Sequence, residues 1–299
     1  VSATGIAGLT VGGGFGYLTR NHGWTCDNVI SMDVVTAEGK VVRTSADENA
    51  DLFWALRGGS GNFGIVTSFE YRLHAVGPEI LGGAIAWSPD ESKLVLEAVR
   101  DLSATAPREL TSVAVLRTAP PAPWLPKEMH GKAIVAVFVC HTGGAAQGEA
   151  WLAKLRAVGK PVADIVTRRP YTQMQSLLDA TQPKGRRYYW KSHYLSGIDA
   201  RLIDVAIEHA RHFQSPHSAI LMFQIGGALN ELPADHCPAG NRDAAYVLNI
   251  TASWERADDD ADDRAQDRER QAEQHRDAKA VEQPRHPGPA LVVGADPRP

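Results

Sequence analysis

Cysteine is scarce in this chain, with Cys26, Cys140 and Cys237 standing far apart and without paired spacing. A disulfide framework and the standard zinc patterns are thereby excluded. A reducing, cytoplasmic compartment is the expectation that follows, although the chain opens on Val1 rather than Met and so offers no export segment to judge. No run of 18 apolar residues occurs, so a membrane-spanning helix is not expected. Excess positive charge is also missing: the net charge is −4, which gives no reason to expect a nucleic-acid partner. The phosphate-loop string GxxxxGK[ST] does not occur either, which removes the commonest nucleotide cradle. What remains is the composition of an ordinary soluble globular protein, 43% hydrophobic and 22% charged, in 299 residues that call for more than one core.

Glycine is abundant and unevenly placed. The stretch "GLTVGGGFGYLTRNHGWTCDN" begins at Gly8, and a second cluster, "GGSGNFG", begins at Gly58. The second contains a literal GxGxxG at Gly59, Gly61 and Gly64, but a helical pattern precedes it and a strand pattern follows. A dinucleotide turn of the Rossmann kind runs the other way, from strand to helix, so that the helix N-terminus faces pyrophosphate. Two readings of the clusters stay open on the residues alone. Missing side chains at Gly12, Gly13, Gly14, Gly59 and Gly61 would let backbone amides approach a large flat or anionic ligand, or they would simply permit tight turns where strands cross.

Along the rest of the chain, "VISMDVVTAEGKVVRTSA" predicts two strands joined at Glu38-Gly39. "NADLFWALRGG" predicts a short amphipathic helix stopped at Gly58, and "GIVTSFEYRLHAV" a further strand. After Ile80 strands and helices interleave: "LGGAIAWS", "LTSVAVLRTA", "KAIVAVFVCHTGG", "YYWKSHYL", "SAILMFQIGGAL" and "AAYVLNITASW" are strands, with helical patterns between them. This predicts an α+β fold: residues 1–78 form a β-rich part, and residues 79–254 an antiparallel-sheet domain with helices on one side. Residues 255–287 carry 11 Asp/Glu and 7 Lys/Arg with almost no large apolar side chain, which predicts a disordered charged tail over 255–299. No metal is expected, since the acidic run "DDDADD" reads as solvated and His209 and His212 lack a third ligand.

The strings "GIAGLTVGGGFGYLTRNHGWTCDNVISMDVVTAEGKVV" and "ADENADLFWALRGGSGNFGIVTSFEYRLHAVGP" together resemble the FAD-linked oxidases of the berberine-bridge-enzyme-like family, which carry a PCMH-type FAD-binding domain. The resemblance implies that the cofactor is FAD and makes residues 1–78 a partial FAD-binding domain. It places Gly5, Ile6, Ala7, Gly8, Leu9, Gly12, Gly13, Gly14 and Phe15 on one side of the flavin and Gly61, Asn62 and Ile65 on the other. Asn28, with Asp27, either touches the cofactor or caps the turn that holds it. Val1 stands where bicovalent relatives attach a cysteine to the flavin, so no cysteinyl link is expected; their histidine anchor would lie upstream of Val1.

The same resemblance implies oxidation of a small organic alcohol or amine-like substrate by hydride transfer to flavin N5, with molecular oxygen as the electron acceptor and a side chain taking a proton. Alternation on "YYWKSHYL" puts Tyr189, Lys191 and His193 on one face, and on "YVLNITASW" it sets Tyr246, Leu248 and Ile250 opposite Val247, Asn249 and Thr251. Tyr246, Tyr189 and Asn249 are the catalytic candidates. Asn249 matches the place where some relatives carry a glutamate, but an amide cannot accept a proton. The opposing possibility is an inactive protein that acts as a weak flavin-, nucleotide- or partner-binding module.

Overall fold

The computed structural model describes residues 1–260; of the expected charged tail, everything from 261 on lies outside the described residues. The first 71 residues contain α1 (Ile6–Val11), α2 (Thr19–His22), β1 (Val29–Val35), β2 (Val41–Ser45), α3 (Ala50–Leu56) and β3 (Ile65–Tyr71). Their strands form an antiparallel sheet in the order β2-β1-β3. The predicted hairpin is present: Gly39 takes φ +74° in the turn, a conformation that side chains disfavour. On β1 the inward residues Met32 and Val34 pack with Phe53 and Leu56 of α3, a small apolar core of four fully covered side chains and Val29.

The larger part holds β4 (Ile80–Trp87), α4 (Ser92–Ala104), β5 (Leu110–Thr118), β6 (Ala133–His141), α5 (Ala145–Arg156), β7 (Ala163–Asp164), β8 (Thr167–Arg169), α6 (Tyr171–Ser176), β9 (Arg187–Leu195), α7 (Ala200–Ala210), β10 (Ala219–Gln224) and β11 (Tyr246–Trp254). They build an eight-stranded antiparallel sheet, ordered β7-β4-β6-β5-β10-β11-β9 with β8 beside β4. Helices α4, α5 and α7 cover one face through Ile85, Trp87, Val137, Ile220, Met222 and Leu248. The opposite face is covered only in part. Over β4, β5 and β6 a second cluster forms, in which Ala84, Val113, Val115, Ala136 and Phe138 meet Met174 and Leu125. Burial on both sides explains why "AIVAVFVC" is apolar without alternation, whereas the edge strand β9 leaves Tyr188 and Trp190 exposed.

Helix α7 shows how local chemistry sets an element's start. Asp199 precedes it with extended backbone, and its carboxylate accepts the Leu202 N–H at 2.7 Å, satisfying one of the amides left over at a helix N-terminus. Asp199→Ala is expected to cost about 1 kcal/mol, read as a lowered urea midpoint with an unchanged slope.

Candidate active site

The glycine-rich stretch does not form a loop throughout. Residues 6–11 make a helix, α1, and the triple glycine turns the chain out of it. Ser2 bonds Asp179, with its amide at 2.7 Å from Oδ1, and Gln175 reaches the Val1 carbonyl, so the start of the chain is tied to the segment after α6. At the far end of α1, Thr10 Oγ1 meets the Tyr71 hydroxyl at 2.7 Å. The helix therefore spans the seam between the large sheet's segments and β3, beside the turn at Ser60–Phe63.

The glycines divide into two groups by what lies opposite them. A Cβ on Gly13 would approach that of Ala239 to 3.2 Å, and one on Gly58 would come within 2.4 Å of the Ala239 nitrogen. Gly14 faces Leu9 Cγ at 2.7 Å, and Gly59 the Ala55 carbonyl at 2.4 Å. These positions let chain pack on chain. Their polar groups are engaged as well: the N–H groups of Gly12, Gly13 and Gly59 donate to Gly8, Thr10 and Ala55, and the carbonyls of Gly13 and Gly14 accept from Cys26 and Thr25. Around Gly5, Gly8 and Gly61, by contrast, no atom lies within 4 Å of a Cβ position. The neighbours of this second group are apolar and uncovered: Ile6 is 54% exposed, Phe63 43% and Ile65 71%. Bare backbone flanked by exposed apolar side chains is a surface that fits an aromatic ring system.

Phe15 leaves the first turn toward the uncovered half of the large sheet. Its ring stands edge-on to Phe223 at 5.2 Å and to Trp24 at 6.2 Å; Tyr17 packs on Phe223 at 5.8 Å, and Trp24 on Tyr194 at 5.9 Å. Phe223 pairs with Val247, and Val247 with Tyr194, so the face turned to the glycine turns carries Phe223, Leu221, Val247, Asn249, Ser192 and Tyr194. In its middle the Ser192 hydroxyl donates to Asn249 Oδ1. Toward the other end of this face a cavity of about 790 Å³ is lined by Arg117, Trp124, Phe138, Leu178, Arg186 and His217.

Burial raises the phenol pKa values of both Tyr17 and Tyr194, which keeps them protonated, and hence donors, at neutral pH. Arg20 is held at the seam by its guanidinium, which donates to the Ala106, Pro107 and Ile225 carbonyls, and burial lowers its pKa. Asn28 donates to the His22 and Trp24 carbonyls, and its Oδ1 meets His74 Nε2 at 2.6 Å, an arrangement that braces the turn.

The structure separates the residues considered for catalysis. Asn249 lies on the face turned to the glycine turns. Tyr246 is on the opposite one, buried among the helix-side core and bonded to Ser103 of α4; burial raises its pKa. Tyr189 shares that side, stacked under Lys191 at 5.6 Å, so neither tyrosine adjoins Asn249. Gly5, Ile6, Ala7, Gly8, Gly61, Asn62 and Ile65 are at the exposed rim, Leu9 and Phe15 are partly covered behind it, and Gly12, Gly13 and Gly14 form the turn that closes on the chain. Sequence reasoning missed Ser192, Tyr194, Leu221 and Phe223. Alternation on β9 contains the first two, but it does not tell which face meets the glycine turns. Trp254 is buried in the core, whereas Trp190 is 47% exposed.

The family model described as an FAD binding domain matches residues 1–45. An FAD-linked oxidoreductase of Dictyostelium discoideum is 30% identical over 263 residues, covering 87% of this chain and 55% of that protein. (R)-6-hydroxynicotine oxidase of Paenarthrobacter nicotinovorans is 32% identical over 260 residues, covering 85% and 54%. Among solved structures, berberine-bridge-enzyme-like 1 of Physcomitrella patens superposes with a TM-score of 0.77 at 19% identity, over 92% of this chain and 60% of that one. The chain thus spans about half the length of the curated relatives it matches. With the FAD-binding-domain model on the glycine-rich start and relatives named FAD-linked oxidoreductases and oxidases matched along most of its length, the chain is similar to part of the FAD-linked oxidoreductases, with FAD as the cofactor these matches indicate, and its fold is that of the berberine-bridge-enzyme-like structures.

Proposed function

We propose that the seam holds FAD against Gly5, Gly8 and Gly61 and that a small alcohol- or amine-like molecule lies on the uncovered sheet face, to be oxidised with molecular oxygen as final acceptor. The carrying observation is the bare, uncovered backbone at those three glycines, beside exposed Ile6, Phe63 and Ile65. Bound there, FAD would supply a hydride acceptor at N5, chemistry that no amino-acid side chain offers. The chain's own task is placement. Ser192 fixes the Asn249 amide by donating to its oxygen, which leaves the amide N–H groups as donors for a substrate oxygen or nitrogen. Asn249 orients and does not take a proton, and Tyr194 is a donor on the same face. The apolar cavity at the far end of that face suits an organic body larger than the reacting group.

FAD added to the purified chain is expected to give a bound, yellow species with quenched flavin fluorescence. Gly61→Leu should weaken uptake about tenfold or more, the equivalent of roughly 1.4 kcal/mol, with little shift in melting temperature, because a Cβ at this exposed position meets no atom within 4 Å. A chain that stays colourless with excess FAD would overturn the proposal and favour the inactive binding module. Relatives carry the names 6-hydroxynicotine oxidase and glucooligosaccharide oxidase, so a hydroxylated N-heterocycle and a glucose oligosaccharide are the first substrate probes.

A further inference from the structure

Cys26 and Cys237, separated by 211 residues in sequence, bring their sulfurs to 3.9 Å of one another, and both residues are buried. The setting is charged. Arg242 donates to Cys237 Sγ at 3.0 Å while holding both oxygens of Asp27, at 2.6 and 2.7 Å. His236 Nε2 lies 3.9 Å from Asp27 Oδ1 and 3.1 Å from Arg57 Nη1. From these groups we propose that Cys26 and Cys237 form a thiol–disulfide pair, oxidised by a hydroperoxide, that stitches the turn behind the glycines to the segment before β11.

The two thiols differ in a way that assigns their order. Cys237 is pulled down in pKa by the hydrogen bond from Cys26, by the Ala239 amide and by the Arg242 guanidinium, whereas Cys26 is pushed up. Cys237 therefore attacks as the thiolate. Its sulfur bonds one peroxide oxygen as the O–O bond breaks, and the departing oxygen takes a proton to leave as water, which gives a sulfenic acid. Cys26 then attacks that sulfur as its own proton leaves; the S–S bond forms, the S–O bond breaks, and a second water departs. Two thiols and one hydroperoxide of hydrogen become a disulfide and two waters, so atoms and electrons balance. A cleft of about 740 Å³ is lined by Asp27 and His236, the chain neighbours of the two buried cysteines, together with Arg57 and Gly23, and a small peroxide would reach the sulfurs by crossing that wall. The group Cys26, Asp27 and Cys237 is compact enough to suggest a metal site, but a guanidinium bound to both oxygens of the carboxylate and to one sulfur occupies the position that a cation would need.

The test is titration of the native chain with hydrogen peroxide, followed by non-reducing peptide mass spectrometry and thiol counting. Free thiols should fall from three to one, with a peptide joined through Cys26 and Cys237 and with Cys140, whose thiol burial pushes up to about 12, untouched. Cys26→Ser should accumulate a sulfenic acid at Cys237 that a dimedone probe captures, and Cys237→Ser should leave Cys26 unmodified. Retention of all three thiols, a link through Cys140, or stoichiometric zinc binding that protects both cysteines would overturn the proposal.

Discussion

Arg242→Met is expected to cost about 3–5 kcal/mol of stability, because it strands a buried carboxylate. Asp27 and Arg242 have side chains only 4% exposed and meet through two parallel hydrogen bonds. Asp27 also accepts the Trp24 amide at 2.8 Å, so its charge sits at the root of the turn that follows the glycines. Removing the cation leaves that charge with the Trp24 amide and the more distant His236 ring to face it. Neutralising both members, as Asp27→Asn with Arg242→Met, should recover much of the loss, since neither desolvation term then remains. Urea unfolding of the two single variants and the double one measures the coupling directly. A shift under about 1 kcal/mol for Arg242→Met, the range of exposed ion pairs, would show that the pair is solvated.

Gly58→Ala is the second large effect, with an expected loss of about 2–6 kcal/mol from a strained backbone and an overfilled contact together. The residue sits at φ +126°, and its new Cβ would press on the Ala239 nitrogen, Cα and Cβ at 2.4, 2.6 and 2.7 Å. Backbone cannot rotate aside as a flexible side chain would. Gly8→Ala makes the contrasting case: it lies inside α1 with open space around it, so helix propensity alone should act, stabilising by about 0.5–1 kcal/mol. Thermal melts of the two variants should move in opposite directions. Equal shifts would mean that the glycines do not divide as described.

Much of the fold was legible in the sequence because alternation and turn chemistry are local. The Glu38-Gly39 hairpin, the helix stopped by Gly58 and the strand patterns of β4, β5, β6, β9, β10 and β11 all rest on neighbours within a few residues. What escaped depends on distant partners. α1 has Gly8 inside it and Gly5 and Gly12 at its ends, which hides a helix that the Ser2–Asp179 tie just before it and the Thr10–Tyr71 contact help to hold. The short strands β7 and β8 exist because β4 offers them an edge. A period of two divides Asn249 from Tyr246 but cannot say which side the glycine turns approach; Phe15 on Phe223 decides that. Likewise, no spacing rule could join Cys26 to Cys237.

Ala239 acts as a shim. Its methyl and backbone fill the space left by Gly13 on one side and Gly58 on the other, so both turns are gauged against the same residue. A bulkier side chain at 239 would wedge the pair apart together, and a methyl added at either glycine would push on the same spot. These three positions are consequently free to drift only as a trio, and a substitution at one that is silent in some background should prove harmful when moved alone into another.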